Sequence, residues 1–219
     1  WRYHGKDLVV WRDGDHRVFD AYCPHLGAHL GVGGRVENGC LVCPFHEWTF
    51  GPDGTNAAFP YADRPNRKAR VRSYPTTVRN GLLLFWHHPD SEVEPAWDVP
   101  QALTDDHVEV GRQTWTVRTA WQEIAENSVD MAHFRPVVSS TTPVDLDHVE
   151  VRFTLYHSGD EIAAKIGAGF AAEVSRQFHE DIPIWENKRY QPTPALAPSE
   201  RPVTEFRRWA AQFYPEPSP

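Results

Sequence analysis

Two short strings, Cys23-Pro24-His25 and Cys43-Pro44-Phe45-His46, constrain this chain more than anything else in it. Each offers one thiolate and one imidazole, and 17 residues lie between His25 and Cys43. Two Cys and two His satisfy a tetrahedral zinc ion, or a [2Fe–2S] cluster in which two Cys hold one iron and two His the other. The neighbours favour the cluster. Gly27, Gly31, Gly33 and Gly34 follow the first string, and Pro44 and Trp48 belong to the second. A zinc finger keeps its His pair together on a helix. Here each His follows its own Cys, so each loop reaches both irons. His29 and Cys40 fall outside the pattern. Cys40, three residues before Cys43, reads as an ordinary loop thiol ahead of a CxxC redox pair.

The chain has 219 residues, a net charge of −8 and a pI near 5.8, long enough for one large or two small domains. Its longest apolar run, Gly81 to Trp86, is far too short to span a bilayer. No signal peptide opens the chain, so the expected location is cytoplasmic. Trp1 is not an initiator Met, which points to an incomplete N-terminus. Three Cys, two already assigned, leave no disulfide framework. The acidic balance argues against nucleic acid. It suits a basic electron-donor partner and a merely solvated surface equally well.

The organisation reads as two parts. Residues 1–97 carry short strands broken by turns. Leu8 to Trp11 and Val18 to Tyr22 flank Asp13-Gly14-Asp15, a hairpin signal. Pro52-Asp53-Gly54 is a turn. Gly81 to Trp86 reads as a buried strand, and Pro89 and Pro95 close the unit. Residues 98–219 mix types. Thr119 to Phe134 reads as a helix. Val149, Val151, Phe153 and Leu155 alternate with Glu150, Arg152, Thr154 and Tyr156, a half-buried strand. Ile162, Ile166, Phe170, Val174 and Phe178 recur every fourth residue, a helix with one apolar stripe.

On the first of these helices Asn127, Asp130 and His133 are three apart and share a face. Standing alone, that is a polar face in solvent. Asp181 continues the stripe of the second helix through Val174, Phe178 and Trp185. A carboxylate on a buried stripe needs a partner or a metal, unless Pro183 has bent the helix and left it solvated. Glu180 points to another face.

The string CPHLGAHLGVGG…CLVCPFHEWTF resembles the Rieske domain of Rieske-type non-haem iron oxygenases. With DMAHF, IWENKRY and FRRWAAQFY it is most similar to their steroid branch, which holds 3-ketosteroid 9-alpha-hydroxylase oxygenase components and cholesterol 7-desaturases. The resemblance implies an α+β chain: an all-β Rieske domain, then a helix-grip-like α+β catalytic domain, here shortened. It assigns Cys23, Cys43, His25 and His46 to the cluster. It reads Asn127, Asp130 and His133 as part of the N-x-x-D-x-x-H-x-x-x-x-H motif, with His133 on a mononuclear Fe(II). Asp130 then links that site to a neighbouring subunit's cluster, and Asp181 completes a 2-His-1-carboxylate triad. The implied activity passes electrons from the cluster to this iron, which activates O2 to hydroxylate a steroid-like molecule. The implied partners are a ferredoxin-type or flavin and iron–sulfur reductase and two further copies in a homotrimer.

Two positions depart from the family. Glu47 stands where Gly is common, beside a ligand, and its charge lowers the reduction potential expected of the cluster. Val138 falls where the second iron-binding His is expected, with His148 the nearest other imidazole. A site of His133 and Asp181 alone holds iron weakly. The alternative reading is therefore an electron-transfer or inactive oxygenase-like protein.

Overall fold

The chain divides after Leu103 into two units, each with its own apolar core. The computed structural model describes residues 1–129, 137–157, 161–192, 194 and 201–214. The side chains of 127–129, 137 and 161–166 are outside that description.

In chain order the first unit holds β1 (Arg2–Tyr3), β2 (Lys6–Asp13), β3 (Asp15–Asp20), β4 (Arg35–Glu37), β5 (Cys40–Val42), β6 (Thr49–Phe50), β7 (Asn56–Ala58), β8 (Ser73–Tyr74), β9 (Thr76–Arg79) and β10 (Leu82–Phe85). They pair antiparallel as the sheets β1-β2-β3-β8 and β4-β5-β6-β7 and the ribbon β9-β10. Side chains alternate across a strand, and both faces of the first sheet are used. Val9, Trp11 and Phe19 enter one core with Cys23, Cys43, Trp48 and Phe50. Leu8 and Val18 enter another with Tyr74. Both predicted turns form. Gly14, at φ +75°, joins β2 to β3 with Asp13 opposite Asp15. Gly54, at φ +79°, leaves its missing Cβ only 2.0 Å from the Val71 carbonyl, so no larger residue fits. The Gly81 to Trp86 run differs from its reading. It supplies β10 of a two-stranded ribbon, and only Leu82 is buried. One partner strand cannot cover both faces of an apolar run.

His4 and Gly5 join β1 to β2 with φ of +52° and +71°. Two left-handed residues make the type I′ turn whose twist suits a tight hairpin. The His4 ring stacks on His87 at 4.3 Å and meets Phe85 edge-on at 5.7 Å. Burial, then the neighbouring His87, pushes the His4 pKa down to about 4 from 6.5. Between those values the unfolded chain binds the extra proton and the folded chain does not, so stability rises with pH. The contribution is complete above pH 6.5 and is lost as pH falls through about 4. At 1.36 kcal/mol per unit it reaches about 3 kcal/mol. Urea midpoints of the native chain should fall between pH 6.5 and 4.5, and His4→Asn should flatten that slope.

The second unit holds β11 (Val108–Val117), α1 (Trp121–Val129), β12 (Val137–Pro143), β13 (Val149–His157), α2 (Glu161–Asn187) and α3 (Arg201–Ala210). Its antiparallel sheet runs β11-β13-β12. The alternating segment is thus the central strand. Val149, Val151, Phe153 and Leu155 are buried as expected, and so are Thr154 and Tyr156, which the alternation places outward. Phe178 on α2 packs against Trp115, Phe153 and Trp185 with ring centroids 4.4 to 5.0 Å away. The helix continues through Pro183 to Asn187 rather than ending there. Among the described residues β12 has no neighbour on its outer side, and none of its seven residues is charged.

Beyond the predicted elements lie β11 and α3. α3 contributes Arg207, whose guanidinium donates to both oxygens of Glu126 on α1, at 2.6 and 2.8 Å. Glu126 also accepts from Gln122 at 2.8 Å, and Arg207 donates to the Gln191 carbonyl at 2.6 Å. This buried network ties α1 to the C-terminal helix.

Candidate metal centre

The two Cys-Pro strings fold into matching loops. In the first, the Cys23 N–H donates to the Ala28 carbonyl and the Gly27 N–H to the Cys23 carbonyl, both at 2.9 Å. In the second, the Cys43 N–H donates to the Trp48 carbonyl at 2.8 Å and the Glu47 N–H to the Cys43 carbonyl at 3.2 Å. Gly27 and Glu47 thus hold equivalent places, and both are left-handed, at φ +76° and +57°. That backbone requirement is why Gly suits the site; a side chain there costs about 1 kcal/mol. The first loop leaves through Gly33, also left-handed, and Gly34. A Cβ on Gly34 would stand 2.0 Å from the Leu30 carbonyl.

The loops bring the four candidates together. Cys23 and Cys43 lie buried in the same core cluster, and the Cys43 thiol is close enough to help raise that of Cys23. Burial, opposed by the His25 and Leu26 amides that donate to its sulfur, pushes the Cys23 thiol up to about 11. The His25 and His46 rings meet edge to face with centroids 4.8 Å apart. His46 Nδ1 is buried without a hydrogen-bond partner, as an imidazole nitrogen reserved for a metal should be. Two thiols and two imidazoles are the donor set in which two Cys hold one iron and two His the other. The four residues fit a Rieske [2Fe–2S] cluster.

The surroundings are aromatic. Trp48 stacks on His25 at 4.6 Å and on Phe59 at 4.7 Å, and its Nε1–H donates to the Tyr61 hydroxyl at 2.5 Å. Leu26, Phe45 and Tyr61 are exposed beside the loops. His29 takes no part, for its Nδ1 accepts from the Gly31 N–H at 3.1 Å and its ring lies against Tyr22. Cys40 is a half-buried free thiol opposite Glu37 in the β4–β5 pair.

The second candidate site is described only in part. Asp130 and His133 lie outside the described residues, as does the side chain of Asn127, although α1 carries its backbone. Asp181 is half-buried on α2, and Glu180 pairs instead with Arg176 on the exposed face. Val138 sits in β12 opposite Thr154. It follows α1 as part of a strand, so it does not continue a helical ligand face. His148 is held in the β12–β13 turn by Asp145, which approaches its Nδ1 at 3.0 Å. It helps to line a cavity of about 570 Å³ with Glu123, Trp185, Lys188 and Tyr190; neither Val138 nor Asp181 lines it.

Residues 1–75 match the Rieske [2Fe-2S] domain, and residues 85–141 and 137–214 match the 3-Ketosteroid 9alpha-hydroxylase C-terminal domain. A cholesterol 7-desaturase of Xenopus laevis is 28% identical over 98% of this chain and 67% of its own length. The oxygenase component of a 3-ketosteroid-9-alpha-monooxygenase from Rhodococcus rhodochrous is 26% identical over 96% and 77%. Pseudomonas putida CBB5 NdmA, solved with caffeine, shares the fold with a TM-score of 0.73 at 17% identity, over 96% of this chain and 82% of that one. The chain spans about two thirds of the length of the desaturases it matches. The Xenopus alignment runs over 310 positions although this chain has 219 residues, so many of its positions face no residue of this chain. The two C-terminal matches overlap at 137–141, where β12 begins. Together the paired loops and these matches place the chain in the family of Rieske-type oxygenases that carry the 3-ketosteroid 9alpha-hydroxylase C-terminal domain.

Proposed function

We propose that this chain is an oxygenase component that accepts electrons at its Rieske cluster and uses O2 to hydroxylate a steroid-like molecule. One observation carries the reading: a Rieske [2Fe-2S] domain match, whose span includes Cys23, His25, Cys43 and His46, shares a chain with the 3-ketosteroid 9alpha-hydroxylase C-terminal domain. The names of the Xenopus and Rhodococcus relatives support the substrate class. A separate ferredoxin-type or flavin and iron–sulfur reductase, a homotrimer and a cytoplasmic setting belong to the same proposal. No described helix is long and apolar enough to cross a membrane.

When bound, the cluster supplies one-electron transfer and a mononuclear iron supplies O2 activation. This chain's residues do the rest. Burial keeps water from Cys23 and Cys43, and the Trp48 ring fixes the plane of His25. In this proposal His133 and Asp181 hold the second iron, with Asp130 and Asn127 beside them. Val138 brings no imidazole, so that iron binds weakly.

Iron titration tests this. Purified chain should carry two irons and two acid-labile sulfides, and excess Fe(II) should add a third iron at low affinity. With reductase, NADH and a panel of 3-ketosteroids and cholesterol, hydroxylated product should rise with the third iron. Two irons at every Fe(II) concentration, with no product, would replace this reading by that of an electron-transfer protein.

A further inference from the structure

The observation behind this inference is the residue after His46. Glu47 occupies the left-handed place that Gly27 fills in the matching loop, so nothing in the backbone asks for a carboxylate there. The carboxylate is nonetheless held. Arg35 Nη2 donates to Glu47 Oε1 at 2.7 Å, while Arg35 Nε donates to Glu37 Oε1 at 2.5 Å. Arg35 opens β4, directly after the Gly33-Gly34 exit of the first ligand loop. The ion pair therefore ties the chain leaving the His25 loop to the residue following His46.

We propose that Arg35 and Glu47 form a clamp across the two ligand loops that sets the reduction potential of the cluster. Both act as positioning residues, and the proposal rests on the Rieske reading of this site. A negative charge beside the cluster disfavours the reduced form, and a positive charge favours it. Glu47 alone lowers the potential, as its sequence position implies. Arg35 opposes that effect, because its guanidinium lies against the same carboxylate. The group near His46 is then one guanidinium between two carboxylates, Glu37 and Glu47, and Arg35 and Glu47 can be removed separately. Both side chains are partly exposed, so salt screens the pair.

The test is the midpoint potential of the full-length chain by protein-film voltammetry, at low and at high salt. Glu47→Gln should raise the potential and Arg35→Gln should lower it. The double variant should fall between them, near the native value, and the spread should shrink at high salt. Glu47→Gly removes the charge and suits the left-handed backbone, so it should match Glu47→Gln in potential while unfolding at a higher urea concentration. That variant reads the charge effect even if Glu47→Gln loses its cluster. Shifts of one sign for Arg35→Gln and Glu47→Gln, or no shift at low salt, would overturn the clamp while leaving the Rieske assignment standing. A native chain without iron or sulfide would instead remove that assignment, and the clamp with it.

Discussion

Alanine at Cys43 is expected to leave the purified chain without iron, acid-labile sulfide or visible cluster absorbance. The thiol is 2% exposed and sits beside Cys23 in the core, out of reach of bulk water. Losing one of four ligands from a bridged cluster removes the whole group, because the cluster's bonding is shared between both irons. The cysteines also belong to the core around Phe19 and Phe50, so the apo variant should retain its β circular dichroism while losing thermal stability. Two controls sharpen the measurement. Cys40→Ala and His29→Ala should keep two irons and two sulfides, since neither side chain faces the other ligands. Full iron in Cys43→Ala, or loss of iron in Cys40→Ala, would reassign the ligand set.

Arg207→Ala should be the most damaging single change in the second unit. It strands the Glu126 carboxylate, 10% exposed at its side chain, with Gln122 as its remaining side-chain donor among the described residues. Breaking a buried ion pair from one side costs about 3–5 kcal/mol. It also removes the guanidinium from the Tyr190 face, 5.0 Å away. Domain stabilities are only about 5–15 kcal/mol, so α1 and α3 should part at low denaturant. Urea unfolding followed by far-ultraviolet circular dichroism should show an early loss of helix with the cluster absorbance unchanged. The pair Glu126→Leu with Arg207→Met should recover most of the loss, since apolar replacement of both partners leaves no orphaned charge. If Arg207→Ala alone unfolds with the native midpoint, the network carries no stability.

The ligand loops were legible in the sequence because each is local. Within six residues the Cys, the His and the left-handed position are all written, and no long-range contact is needed to see them. The same holds for β13, whose alternation survives in Val149 to Leu155. β11 was not legible. Its sequence VEVGRQTWTV puts Gly111 and charged residues inside a strand, and the register shifts between Glu109 and Gly111, which breaks the period-two pattern. α3 was hidden for a different reason. Only Ala210 of its residues is buried, so the apolar stripe that announces a helix is thin. The Arg35–Glu47 pair was out of reach because a hairpin, not a helical spacing, brings the two together. The clash of Val138 with the iron motif was visible at once, while its place in a strand required the topology.

The outer border of β12 carries a consequence of its own. Among the described residues no strand pairs with the outer side of Val137-Val138-Ser139-Ser140-Thr141-Thr142-Pro143, which carries no lysine or bulge to turn another chain away. Natural edges of this length are usually guarded by charge, and those that are not tend to zip onto neighbours. Self-association along this uncharged edge is therefore the expected behaviour as the chain's concentration rises.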